Sequence, residues 1–327
     1  MNKRVSTLVT ALLLATTLGW QQPLVNVSAA THNAKTTKVA KKATKKTAKT
    51  TKKAKAVKQS ASAGKHIKLQ GEHATNFRDL GGYVNKNGQK IKAHRLIRSN
   101  KLMDLTKSDE HKLTKTYHVK TDIDLRTDIE QQHEPDKKIS GVHFIQNPIF
   151  KKFGAFPDFK QGGTGTKMME KSYHDAITTA QGRKAFKTLF KALLNNPSNS
   201  AVLWHCSAGK DRAGMSTMLV LSALNVDKKT IYKDYLKSNQ YLAAENTAKL
   251  AAATANAKKA GDTPAQIANV RANTQAQNGV YKAYLDVTYK TIHDKYGSVK
   301  NFLHKGLGLS NHQLAQLQKS YLTPAKK

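Results

Sequence analysis

The chain of 327 residues carries 56 Lys and Arg against 21 Asp and Glu, a formal charge of +35, and a single cysteine. One cysteine excludes an internal disulfide framework and leaves either an intermolecular pairing site or a free reactive thiol. The charge favours anionic partners and says nothing about fold.

The N-terminus reads MNKRVSTLVTALLLATTLGWQQPLVNVSAA. Lys3 and Arg4 precede a mostly apolar run from Val5 to Trp20, and small residues follow at Ser28, Ala29 and Ala30. This layout predicts a signal peptide over 1–30, cut after Ala29 or Ala30, and hence a secreted protein, extracellular or associated with the cell wall or surface. The apolar run is shorter than the roughly 20 residues of a spanning helix and contains threonines and a glycine, which argues against an uncleaved anchor. With no cysteine near the cut, a lipid anchor is not expected.

Residues 31–65 hold twelve lysines and no acidic residue. Such a low-complexity stretch cannot bury enough surface to offset its ordering entropy and is expected to be a disordered linker. It is either a solvated spacer or a polycation that holds the protein near an anionic cell-wall polymer or membrane. It lacks interleaved aromatics, so charge alone makes no case for specific nucleic-acid binding. Residues 66–327 keep a charge of +21 and are expected to form the folded, monomeric domain.

Within that domain, Asn87-Gly88 sits between two strand-like runs and signals a hairpin. Gly81-Gly82 marks a tight turn. Thr106 and Asp109 open a helix in the manner of a capping box. Residues 119–126 (VKTDIDLR) and 142–146 (VHFIQ) read as strands. A helix is expected over 172–196, with Phe186, Leu189, Phe190, Leu193 and Leu194 as its apolar stripe. Residues 201–205 (AVLWH) read as a buried strand and 212–224 as a buried helix. From Asp227 the chain reads as almost wholly helical. Residues 238–278 are a helical appendage or a mobile lid facing the substrate, broken and capped at Gly261-Asp262-Thr263-Pro264. Alternating strands and helices give an α/β fold, a central sheet flanked by helices with a helical C-terminal region.

The chemistry concentrates at HCSAGKDRAG, 205–214. A buried strand ends at His205, Cys206 follows, and Arg212 comes five residues later at the start of a buried helix. Gly209 permits positive φ and close backbone approach. The backbone N–H groups of such a loop turn inward as an anion nest, backed by the helix N-terminus. Arg212 offers a bidentate fork for phosphate oxygens. Lys210 adds charge, and together they favour the thiolate of Cys206, its nucleophilic form. A thiolate beneath a phosphorus held by three oxygens is arranged for in-line attack. A rhodanese-like sulfurtransferase also places a cysteine in an anion-binding loop, but the five-residue spacing, the arginine and the preceding histidine argue against it.

HCSAGKDRAG resembles the active-site loop of cysteine-dependent protein tyrosine phosphatases. Its Gly-Lys-Asp-Arg form is similar to the bacterial branch with both phosphotyrosine and phosphoinositide activity, the atypical lipid phosphatases. NFRDLGGY (76–83), RSNKL (98–102) and IDLRTDIE (123–130) are similar to that branch in order and spacing. DYLKSNQY (234–241) and 296–310 resemble its C-terminal helices, so the resemblance covers about 70–325. It implies that Cys206 forms a phosphocysteine. Arg212 and the backbone of Ser207, Ala208, Gly209, Lys210 and Asp211 would bind the phosphoryl oxygens. Lys210 is linked in this branch with phosphoinositide acceptance, His205 with tuning of the loop and thiol. Asp211 would be the general acid and then activate water. Phe156-Pro157-Asp158 echoes the separate acid loop of other tyrosine phosphatases and makes Asp158 the runner-up. Asp124, Arg126, Asp79 and Arg78 are either structural ion pairs or supports of the site. Many relatives carry Ser or Thr after the arginine; here Ala213 stands there, so either breakdown of the phosphoenzyme is slower or Ser207 or Ser216 supplies a hydroxyl.

No histidine pair has metal-ligand spacing, and this mechanism requires neither metal nor cofactor. The expected partners are a phosphorylated protein or a phosphoinositide. The rival is a polycationic surface-binding protein with a vestigial phosphatase site, which would bind anions without turnover.

Overall fold

Six strands share one mixed sheet in the order β1-β2-β3-β6-β4-β5. They are β1 (Lys65–His66), β2 (Arg78–Asp79), β3 (Leu96–Ser99), β4 (Val119–Asp124), β5 (His143–Gln146) and β6 (Ala201–His205). β3, β6, β4 and β5 run parallel, and β1 and β2 extend the β3 edge antiparallel. This computed structural model describes residue 59 and residues 62–324; the expected signal peptide and nearly all of the lysine-rich segment lie outside the described residues.

Both faces of the sheet are covered, and the strands show it in their period of two. In β6, Val202 and Trp204 enter one apolar cluster, while Ala201 and Leu203 enter the other. Leu96 and Ile97 divide in the same way in β3; in β4 Val119 and Ile123, four apart, fall on opposite faces because the register shifts between Val119 and Thr121. The result is a layered α/β domain, as the alternation of elements predicts.

The helices are α1 (Lys107–His111), which runs into a π-turn at Lys112–Thr116, α2 (Asp128–His133), α3 (Thr164–Thr178), α4 (Ala180–Leu194), α5 (Arg212–Ala223), α6 (Lys228–Tyr241), α7 (Ala243–Lys259), α8 (Pro264–Asn278), α9 (Lys282–Tyr296), α10 (Val299–Asn301) and α11 (Asn311–Tyr321). The capping box forms: Asp109 N donates to Thr106 Oγ1 (3.2 Å), and Thr106 N donates back to Asp109 Oδ2 (3.0 Å). The hairpin at Asn87-Gly88 closes through Asn85 N to Gln89 O (2.8 Å), with one bridge between Val84 and Lys90. Thr263 caps α8, with Pro264 in its first turn.

The single helix expected over 172–196 is two. Thr179 is extended, and its hydroxyl accepts from Gly182 N at 3.1 Å to start α4. The chain turns so tightly there that a Cβ on Gly182 would stand 2.0 Å from Ala176 O. The apolar stripe belongs to α4 alone, and the periodicity does not reveal the corner because it lies before the stripe begins. No described helix is long and apolar enough to cross a membrane.

α7 and α8 are docked differently from the rest. Only Ala257 is buried in α7, and Asn273, Thr274 and Ala276 in α8. Asn273 carries the contact: its amide donates to Phe159 O (2.9 Å) and Gln161 O (2.7 Å), and its oxygen accepts from Gly165 N (2.9 Å).

One buried ion cluster ties sheet to helix. Asp234 of α6 is fully enclosed and accepts from Arg78 Nε (3.0 Å), Arg98 Nη1 (2.8 Å) and Tyr83 OH (3.0 Å). Burial pushes its carboxyl up, but the two guanidiniums outweigh burial and hold it at about 2. Burial and the neighbouring Arg78 bring Arg98 down to about 10.

Replacing Asp234 by Ala leaves two buried guanidiniums without their carboxylate. The expected loss is about 3–5 kcal/mol of stability at pH 7, read as a lower urea midpoint. Its folded pKa lies below the unfolded value of about 3.9, so its contribution is complete above that value and lost as pH falls towards 2. The gap between wild type and variant should therefore narrow between pH 5 and pH 2.

Candidate active site

The parallel strands β3, β4 and β6 end side by side at Ser99, Asp124 and His205, the edge where sites gather in α/β sheets. In register, Ser99 and Asp124 both lie opposite His205. The next residue is Cys206, 2% exposed, and the turn to α5 covers 206–212. α5 is held against β6 by Trp204 Nε1, which donates to Thr217 Oγ1 (3.2 Å) and Ala213 O (3.3 Å).

The carbonyls of Ser207, Ala208, Gly209 and Lys210 face outward into the protein. Lys101 N donates to Ser207 O (3.2 Å), Asn76 Nδ2 to Ala208 O (2.8 Å), and Arg98 Nη2 to Gly209 O (2.7 Å) and Lys210 O (3.2 Å). Gly209 has φ 67°, and a Cβ there would meet Ser99 O at 2.4 Å. Only glycine fits this approach. Among the described residues, no acceptor takes the backbone N–H groups of Ser207 to Arg212. Carbonyls out and N–H groups unpaired is the arrangement of an anion nest at a helix N-terminus.

Arg212 is buried beside the nest. Nη1 and Nη2 donate to the two oxygens of Glu130 at 2.6 and 2.8 Å, and Nη2 also reaches Ser207 Oγ (3.2 Å). Ser207 Oγ donates to Glu130 at 2.5 Å. Burial opposes charge on both partners. The pairing outweighs it, holding Glu130 at about 2 and raising Arg212. Glu130 is fixed in turn by the capping box of α2, where Thr127 N donates to it at 2.9 Å.

Asp211 points away from Glu130. Tyr173 OH of α3 donates to Oδ1 (2.6 Å), and Tyr235 OH of α6 lies 2.6 Å from Tyr173 OH. An ionised carboxylate only accepts, so the hydroxyl chain runs Tyr235 to Tyr173 to Asp211. Lys210 Nζ donates to Asp211 Oδ2 (2.8 Å) and to Gln277 O (2.7 Å) and Gly279 O (3.3 Å) at the end of α8. A cation at a helix C-terminus is favoured by the helix dipole.

Beneath the loop, His205 is fully buried. Its Nε2 lies 3.3 Å from Asp122, 3.4 Å from Asp136 and 3.9 Å from Asp124, close enough for charge attraction but out of hydrogen-bond alignment. Burial disfavours the imidazolium, yet the three carboxylates outweigh it and raise His205. Burial brings Asp122 up to about 7. Arg126 grips Asp124 from below (Nη2 to Oδ2, 2.7 Å) and also pairs with Asp136. Asp124, Asp136 and His205 could together present ligand atoms to a metal ion, but the Arg126 guanidinium already serves as the cation of that group.

The remaining candidates fall elsewhere. Asp79 holds the Gly81 turn, accepting from Gly81 N (2.8 Å) and His94 N (2.9 Å). Arg78 belongs to the Asp234 cluster and also donates to Asn76, which secures the loop. Asp158 is exposed and accepts from Lys160 N two residues on, as a turn residue does. Of the two serines considered for Ala213, Ser207 is engaged by Glu130 and Arg212, while the buried Ser216 Oγ has no partner among the described residues.

Sequence reasoning missed Glu130, Arg98, Asp234 and Tyr173 as site residues. The first three lie inside stretches quoted above, at the end of IDLRTDIE and at the starts of RSNKL and DYLKSNQY; Thr127-x-x-Glu130 also reads as a capping box. Nothing local marks Tyr173, which meets Asp211 only through the packing of α3.

The chain is similar to a protein of Cupriavidus necator named as a tyrosine-protein phosphatase, 29% identical over 267 residues, 78% of this chain and 90% of the relative. A tyrosine-protein phosphatase of Nostoc commune is 28% identical over 240 residues, 70% of this chain and 74% of the relative. The triple specificity protein phosphatase of Mycobacterium tuberculosis is 29% identical over 139 residues, 42% of this chain and 49% of the relative. The model of the tyrosine phosphatase family matches residues 69–323, almost the whole described fold around Cys206 and Arg212, and the chain belongs to that family.

Proposed function

We propose that this chain hydrolyses phosphate monoesters through a phosphocysteine on Cys206. Phosphotyrosine on protein is its first substrate class and phosphoinositide the second. The observation that carries the reading is the 206–212 turn, with its carbonyls bound outward and its N–H groups without acceptors above a buried thiol.

In the first step three phosphoryl oxygens take the loop N–H groups and Arg212. Glu130 occupies Nη1 and Nη2, while Arg212 Nε meets no protein acceptor among the described residues. Arg98 and Arg212 both lie close enough to interact with a Cys206 thiolate. The thiolate attacks phosphorus, the ester P–O bond breaks, and protonated Asp211 gives its proton to the leaving oxygen. In the second step the Asp211 carboxylate takes a proton from water, whose oxygen attacks phosphorus; phosphate leaves and the thiolate returns.

Lys210 donates to Asp211 Oδ2 and to carbonyls at the end of α8, and Tyr173 donates to Asp211 Oδ1, so the two together fix the direction of the carboxyl. The Gly-Lys-Asp-Arg sequence supports the dual phosphotyrosine and phosphoinositide reading, and residues 1–30 support export; both are part of this proposal.

Cys206→Ser should abolish phosphate release from a phosphotyrosyl peptide while still binding inorganic phosphate, read by calorimetry. Wild-type binding without turnover would move the protein to the vestigial, surface-binding reading.

Asp211→Asn should lower kcat by about 10²–10⁴-fold, the usual range for loss of a general acid. The loss should be largest for alkyl phosphates and phosphoinositides, whose leaving oxygens need the proton most, and smallest for p-nitrophenyl phosphate. Equal losses across that series would remove Asp211 from the acid role.

A further inference from the structure

Segment 150–160, FKKFGAFPDFK, has no part in the chemistry above, yet it borders the site. Its ends are anchored. Ile149 is buried and bonded to Leu125 O, Phe150 packs against the core, and Phe159 O and Lys160 O accept from Asn273 and Asn269 of α8. Between these anchors every residue from Lys151 to Phe156 is exposed, and none from Lys151 to Pro157 makes a hydrogen bond among the described residues. Phe153 is 42% exposed and Phe156 60%.

This apolar exposure is not scattered. The Phe153 ring lies 5.3 Å from the Arg212 guanidinium. Ile129, 57% exposed, adjoins Glu130, the partner of Arg212. Tyr281, 43% exposed, lies two residues beyond Gly279, whose carbonyl receives Lys210. Phe153 thus borders the nest, Phe156 is exposed three residues further along the same loop, and Lys151 and Lys152 stand between Phe150 and Phe153.

We propose that the 150–157 loop is a membrane-docking element, inserting Phe153 and Phe156 into an anionic phospholipid surface while Lys151 and Lys152 meet its head groups. Aromatic tips with flanking lysines match the two layers of a bilayer interface, apolar below and anionic above. Charge decides the occupant: Lys151 and Lys152 beside exposed rings complement a surface that is anionic at its head groups and apolar beneath them. Docking there would bring head-group phosphates to the loop cations, a use that rests on the phosphatase reading; binding itself does not.

The test uses the full chain without substrate, so a failure of the phosphatase reading leaves it intact. With Phe156→Trp, vesicles of brominated phosphatidylcholine and phosphatidylglycerol should shift tryptophan emission to shorter wavelength and quench it beyond the wild-type chain. Phe156→Asp should weaken partition onto those vesicles by roughly tenfold, the scale of losing one inserted aromatic and adding a like charge. The melting temperature should not change, because the side chain is exposed. Emission from the introduced tryptophan that vesicles leave unaltered would overturn the proposal. So would unchanged partition of Phe156→Asp with a raised KM for a soluble phosphotyrosyl peptide, which would assign the loop to protein substrates.

Discussion

The arginine at position 98 is the constraint on which the rest of the site depends. One end of its guanidinium is neutralised by Asp234 in α6, the other holds the carbonyls of Gly209 and Lys210. The loop therefore has its shape because a buried charge beneath it is paired, and the charge is paired because α6, packed on α5, brings Asp234 to Arg98 of β3 and Arg78 of β2. Asp234 faces two arginines, so the cluster keeps one positive charge in excess directly under the nest. A buried excess cation is unfavourable alone and is stabilised by a nearby anion. The same side chain thus joins the buried ion cluster to the loop.

A second charged group below the strand ends works by balance rather than excess. His205 and Arg126 supply two positive charges, and Asp122, Asp124 and Asp136 offer three carboxylates. Asp122, pushed up to about 7 by burial, is the carboxyl best able to keep its proton near neutral pH, which brings the set close to neutrality. Arg126 fixes both Asp124 and Asp136, so His205 is held on three sides just before Cys206. The Asp124–Arg126 pair is thus structural and a support of the site at once, while Asp79 acts on a turn.

Much of this was legible in sequence. The Cys-x5-Arg spacing between an apolar strand and an apolar helix defines the loop, and Gly209 sits where positive φ is required. β6 and α5 were readable because full burial gives unbroken apolar runs. The partners were not, because they come from far away in the chain: Glu130 is 82 residues from Arg212, and Asp234 is 136 residues from Arg98. Local pattern reports which face a residue occupies, not which residue it will meet across the core. The corner at Thr179 escaped for a related reason, since a turn packed by Gly182 leaves no break in the α4 stripe.

The way the loop cations are balanced explains how a strongly basic site can be stable. Glu130 neutralises Arg212 from the flank through Nη1 and Nη2, without approaching the N–H groups of the nest. Lys210 is satisfied by Asp211 and by carbonyls of α8, a helix held largely by polar contacts rather than by buried apolar surface. Of the two cations, Arg212 is bound to a rigid, capped element and Lys210 to a lightly docked one. Elements with few buried apolar contacts open at lower cost than the core. The arginine is therefore tied to the more rigid part of the fold, and the lysine to the part that opens more readily.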